Sequence, residues 1–164
     1  MLLTDDRGNT VDWFETYFNN TKQTNHYMHL SGGADSALTL YIMAKCLYDK
    51  KRTDETLNCI YVQNTSYKFE DAGTKVPLLI NYVESRFAGV KIKLWKVKAE
   101  TTDKNKGPIL QKNVDNAGGK DLIVINSIQR GPKFIKGFRN KESLITGQMF
   151  KYRPYVNVDK RFFA

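Results

Sequence analysis

The chain has 164 residues, with 26 Lys and Arg against 17 Asp and Glu, for a formal net charge of +9. That length suits one domain with a real core, and a balance of 41% hydrophobic to 26% charged residues excludes wholesale disorder. No apolar run approaches the roughly 20 residues of a spanning helix, and MLLTDDRGNT lacks the basic and then apolar pattern of a signal peptide. Membrane partners are therefore not expected. Cys46 and Cys59 are the two cysteines and form no CxxC, and nothing surrounds His26 and His29 at ligand spacing. Reduced thiols in a cytoplasmic protein, without structural zinc, are the plain reading. The positive charge is compatible with nucleic acid, with a site for polyanionic phosphate, or with a solvated surface. The lysines look scattered (Lys45, Lys50, Lys51, Lys91, Lys93, Lys96, Lys98) and make no compact block.

In chain order, Val11, Phe14 and Phe18 fall at helical spacing, and after a polar gap His26 to Leu30 reads as a strand. Ala37, Leu40, Tyr41, Ala44 and Tyr48 mark a helix that Leu38, Ile42 and Met43 make apolar on a second side. Leu57 to Gln63 is a second strand. Val76, Leu79, Ile80, Val83 and Phe87 share a helix face that ends at Gly89. Val90 to Val97 alternates as a strand with one wet face near a sheet edge, and a short helix follows Pro108. Leu122 to Ile125 is short and wholly apolar, as a buried parallel strand is. From Asn126 to Arg153 no clean period appears, which suits a functional loop. One domain over 1–164 is expected. Strands alternating with helices predict an α/β, Rossmann-like doubly wound fold: a three-layer αβα sandwich around a parallel sheet. Ligands then bind beyond the carboxyl ends of the strands, at Ser31–Ser36, Asn64–Ser66, Glu100–Asp103 and Asn126–Arg130.

The segment HLSGGADSA, His29 to Ala37, joins the first strand to the first long helix. Adjacent glycines let an anion approach the backbone, and a helix N-terminus adds donors and partial positive charge. Ser31 and Ser36 add hydroxyls. Asp35 either caps the helix or holds a magnesium ion against phosphate. A Walker loop needs a lysine that is missing here, and the dinucleotide GxGxxG is absent too.

SGGADS resembles the SGGxDS signature of the N-type ATP pyrophosphatases, the PP-loop superfamily of GMP synthetase, NAD synthetase, asparagine synthetase, lysidine synthetase and 7-cyano-7-deazaguanine synthase. Ser31, Gly32, Gly33, Asp35 and Ser36 match every fixed position. The resemblance implies the adenine nucleotide alpha hydrolase-like fold, with ATP gripped by its pyrophosphate on Leu30, Ser31, Gly32, Gly33, Asp35 and Ser36. It implies Mg2+ on Asp35, and adenine or ribose near Asn64, whose other reading is a turn residue. Arg153-Pro154 and the following YVNVDK are similar to a late segment in which a basic residue returns to the phosphates. Arg153 and Lys160 thereby join Asp35 as catalytic candidates; the other reading is surface charge. Arg130 and Lys133 stand where substrate is met, or in a solvated loop.

Departures narrow the choice. No cysteine follows Met1 as a glutaminase nucleophile, and the cysteine sets of deazaguanine synthase, tRNA thiolation enzymes and sulfonucleotide reductases are missing. A minimal or truncated member is expected. The implied reaction is adenylation of a carboxylate, amide or carbonyl oxygen of a small-molecule substrate, with release of pyrophosphate and then attack by a nitrogen nucleophile. The alternatives are a tRNA-base-modifying protein, with tRNA as partner, and a non-catalytic nucleotide-binding module. Homo-oligomerisation stays open.

Overall fold

Between residues 25 and 99 strands and helices alternate as the hydrophobic pattern predicts. The computed structural model describes residues 3–11, 13–65, 74–100, 109, 112–113, 115–116 and 124–125. It opens on a small antiparallel pair, β1 (Leu3–Thr4) and β2 (Thr10–Val11), in register Leu3↔Val11. The Asp5 carboxylate organises the turn. It accepts the backbone N–H groups of Arg7 (3.0 Å) and Asn9 (2.8 Å) and both their side chains. Those donors, the Asn9 side chain foremost, hold the Asp5 carboxyl down at about 2. Val11, expected on a helix, is therefore the last residue of a strand. The helix α1 (Trp13–Asn20) starts after it and buries Phe14, Tyr17 and Phe18 at i, i+3 and i+4.

The main sheet has four strands: β3 (Asn25–His29), β4 (Thr56–Asn64), β5 (Lys91–Ala99) and β6 (Val124–Ile125). Their order is β5-β4-β3-β6, and every pairing is parallel. Parallel neighbours need crossovers, which α2 (Ala34–Asp49) and α3 (Lys75–Arg86) supply. α2 buries Leu40, Ile42, Met43, Ala44, Cys46 and Leu47, a stripe too wide for a one-sided helix. α3 buries Val76, Ile80 and Val83. Its Pro77 lies in the first turn, where a missing N–H leaves no helical bond unmade. Beyond Phe87, Gly89 takes φ +93° and turns the chain into β5. Residues 109, 112–113 and 115–116 are helical, as expected after Pro108.

Side chains alternate across a strand, so partners in register share a face. Met28, Leu30, Leu57, Cys59 and Tyr61 join one core cluster with α1, α2 and α3 residues, and Ile92 and Leu94 pack against it. Asn25, Tyr27, Asn58, Lys93 and Trp95 point to the other face, where the Trp95 indole donates to the Asn58 amide oxygen at 3.1 Å. Tyr27 and Ile60 are buried on that face and lie outside the cluster. β5 ends the strand order among the described residues, which agrees with its wet alternation. Cys46 and Cys59 are free and buried, and burial pushes both thiols up. No described helix is long and apolar enough to cross a membrane.

Candidate functional site

The loop that carries the motif leaves the sheet at its interior. β3 is flanked by β4 and β6, and the Leu30 N–H extends the pairing by donating to the Ile60 carbonyl at 2.9 Å. The chain then turns through Ser31, Gly32 and Gly33 into α2. Two crossovers step from β3 to β4 and β5 on one side, while β6 lies on the other. The order thus reverses at β3, and in parallel sheets the crevice at such a reversal is where ligands bind.

Gly32 has φ +85°, a conformation that side chains disfavour. Gly33 is the N-cap of α2 and has ordinary extended angles, φ −81° and ψ 168°, with no side-chain cap bond. At Gly33 a side chain would change the space of the turn and not its backbone angles. A Cβ there would stand 3.3 Å from Asp35 Oδ1 and 3.4 Å from Ser31 Oγ, inside the cradle those two side chains bound. Helix geometry leaves the first-turn amides without intrahelical acceptors, so the cradle sits at a partial positive charge.

Ser36 is wholly buried and braces the loop. Its hydroxyl donates to the Gly33 carbonyl at 3.1 Å and accepts the Ser31 N–H at 3.2 Å. It also lies 3.1 Å from Ser31 Oγ, which accepts the Gly33 N–H at 3.3 Å. Ser31, Gly33 and Ala34 are solvent-exposed. Asp35 is not the cap residue. It stands in the first turn, half-buried, and its Oδ1 accepts the Ser36 N–H at 2.9 Å.

β4 and β5 run on together from Ile60↔Trp95 to Asn64↔Ala99, four residues past the end of β3's pairing. At about 3.3 Å per residue they extend about 13 Å beyond the end of β3's pairing. Asn64, expected just after its strand, is the last paired residue of β4, and the Thr65 N–H donates to the Ala99 carbonyl at 3.0 Å. Arg130, Lys133, Arg153 and Lys160 lie outside the described residues, as do residues 66, 101–103 and 126–129.

The anion fit and the metal fit differ. The cradle that a Cβ would fill, open to solvent at a helix N-terminus, suits a phosphate group. No three His, Cys, Asp or Glu side chains gather among the described residues, so they offer no all-protein cage. Magnesium does not require one: it is commonly held by one or two carboxylates together with phosphate oxygens and water. Asp35, at the rim of the cradle, fits that role.

Two features escaped the sequence. Buried Tyr17, His26 and Glu55 and half-buried Arg52 form a polar cluster at the opposite end of β3, with Tyr17 OH 2.6 Å from His26 Nδ1 and Glu55 Oε1 2.8 Å from His26 Nε2. Arg52 pairs with Glu55 and donates to the Phe18 carbonyl at 2.8 Å. The sequence signal was a histidine, His26, inside a strand that is otherwise apolar through Tyr27 and Met28. The second feature corrects the scattered look of the lysines: Lys91, Lys93, Lys96 and Lys98 stand exposed along one strand.

No family model, curated protein or solved structure matches the chain.

Proposed function

We propose that the chain is an ATP-binding PP-loop enzyme, a single domain over residues 1–164. It would adenylate a carboxylate, amide or carbonyl oxygen of a small-molecule substrate and release pyrophosphate. A nitrogen nucleophile then displaces AMP. The observation that carries this reading is the place of the SGGADS loop: the carboxyl end of the interior parallel strand, where the strand order reverses, leading directly into a helix N-terminus. The burial of Tyr27 and Ile60 on the face away from α1, α2 and α3 supports a second covering layer, and so the three-layer Rossmann-like sandwich.

In this reading the chain positions reactants and neutralises charge; it supplies no covalent nucleophile. The pyrophosphate portion of ATP lies in the Ser31–Gly33 cradle, within reach of the amides that open α2. Ser36 holds the turn closed from below. Asp35 would hold a magnesium ion, which when bound neutralises the charge of the leaving pyrophosphate. Asn64 is the last paired residue of β4, and its backbone would meet adenine or ribose. Arg153 and Lys160 would bring further positive charge to the phosphates.

Calorimetry with ATP and magnesium, against NAD, tests the ligand. Pyrophosphate and AMP release across a panel of carboxylates, amides and tRNA tests the reaction. Tight NAD binding with no response to ATP overturns the assignment. ATP binding without pyrophosphate release from any acceptor favours the non-catalytic module.

A further inference from the structure

β5 carries four lysines within nine residues: Lys91, Lys93, Lys96 and Lys98. All four are exposed, and none has an ion-pair partner among the described residues. By contrast, Lys45 and Lys50 are neutralised by Asp49 and Glu15 at 2.6 and 2.9 Å. Alternation puts Lys91 and Lys93 on the face away from α1, α2 and α3, and Lys96 and Lys98 on the face shared with them. The row therefore climbs along the edge strand and crosses it. The 91/93 and 96/98 pairs are each spaced by about 6.6 Å along the strand, close to the separation of neighbouring phosphates in an extended nucleic-acid strand. Between the pairs lies Trp95, with the Lys93 ammonium 4.0 Å from its ring centroid.

We infer that the β5 edge is a docking surface for the backbone of single-stranded nucleic acid. Charge complementarity points to a polyanion. The line of charge, one residue wide and interrupted by an aromatic ring, matches a single strand better than a flat anionic membrane. Proteins that bind single strands without sequence preference combine such tracks with aromatic rings. β5 runs in the same direction as β3, so Lys96 and Lys98 stand toward the carboxyl ends of the strands, the end at which the Ser31–Ser36 loop leaves β3, and the docked strand is led toward that end. Lysines also keep edge strands from pairing with other chains, and the experiment separates that role from docking. The inference does not depend on the nucleotide reading.

The test is fluorescence anisotropy of labelled single-stranded RNA and DNA of mixed sequence with the full chain, across salt. Four phosphate contacts predict a slope of about −2.8 in log affinity against log salt, or about a 50-fold loss between 50 and 200 mM. Changing Lys91, Lys93, Lys96 and Lys98 to Gln should abolish most of the binding and flatten the slope. Changing them to Arg should keep both. A control changing Lys22, Lys45, Lys51 and Lys112 to Gln removes the same charge elsewhere and should bind within a few-fold of wild type. The Lys96→Gln, Lys98→Gln double variant, losing about half the slope, covers the case in which the fourfold variant self-associates. Equal loss in the control and the row variant, unchanged binding in the row variant, no binding at low salt, or row-dependent binding to phosphatidylglycerol vesicles alone would each overturn the inference.

Discussion

The Ser36 hydroxyl, wholly buried, donates to the Gly33 carbonyl at 3.1 Å and so ties the first turn of α2 back to the glycine that opens it. The same oxygen accepts the Ser31 N–H at 3.2 Å, so one side chain fixes both ends of the turn. Ser36→Ala leaves these groups without that partner. A thermal melt should show a loss of about 0.5–1.5 kcal/mol, and calorimetry should show weaker ATP binding. Lost stability with undiminished ATP affinity would make Ser36 a packing residue alone.

The two glycines should fail differently. Gly32 holds φ +85°, so Gly32→Ala strains the backbone and should cost about 1–2 kcal/mol of stability. Gly33 has angles that alanine adopts freely, so Gly33→Ala should melt near wild type. Its methyl group would stand in the cradle, 3.3 Å from Asp35 Oδ1, and ATP binding should be lost. Melts and calorimetry on both variants check this. A Gly33→Ala protein that binds ATP as tightly as wild type would rule the cradle out as the phosphate site.

The fold was readable where hydrophobic period and burial coincide. β3, β4, β5, α2 and α3 follow their patterns, and the partial alternation of β5 places it at the edge. The β1–β2 pair was not, because it rests on the polar Asp5 turn, and each strand has only two residues. α2 begins at Ala34, three residues before its first periodic residue, since its first turn belongs to the loop and serves the cradle. The turn from β3 into α2 was readable because its glycines and serines are neighbours in sequence. The His26 cluster was hidden because Glu55 lies 29 residues away, and only the register of β3 with β4 brings its surroundings together.

That cluster makes stability depend on pH. Burial foremost holds the His26 imidazole below its ordinary 6.5, although the Glu55 carboxylate pulls it up. The unfolded chain then binds the proton more tightly than the folded chain does. The contribution from His26 is full above about pH 6.5 and is lost as pH falls below it. Burial pushes the Glu55 carboxyl up, but hydrogen bonds from Arg52 and His26 outweigh it and hold the group below 4.5. Its contribution is present above that value and is lost on further acidification. Melting temperature should therefore decline in two stages. His26→Gln should lower the plateau and remove the first stage; a His26→Gln profile as steep as wild type between pH 7 and 5 would sink the assignment.

Asp35 offers the sharpest separation between a structural and a chemical role. Its Oδ1 accepts the Ser36 N–H at 2.9 Å within the first turn, while Gly33 holds the cap position. An asparagine at 35 keeps an oxygen for that bond and loses the negative charge. The structural role predicts a stability change of only a few tenths of a kcal/mol, since asparagine serves such amides about as well as aspartate. A role in holding magnesium against the leaving pyrophosphate predicts far more. Losing a comparable electrostatic contact in the transition state costs about 2.7–4 kcal/mol, a 10²- to 10³-fold fall in rate. Asp35→Asn should therefore melt like wild type and release pyrophosphate about 10²- to 10³-fold more slowly, with a raised magnesium requirement. Melts and pyrophosphate release measured on the same preparation over a magnesium series decide it. Full activity with unchanged magnesium dependence would leave Asp35 as a first-turn acceptor and move the metal site elsewhere.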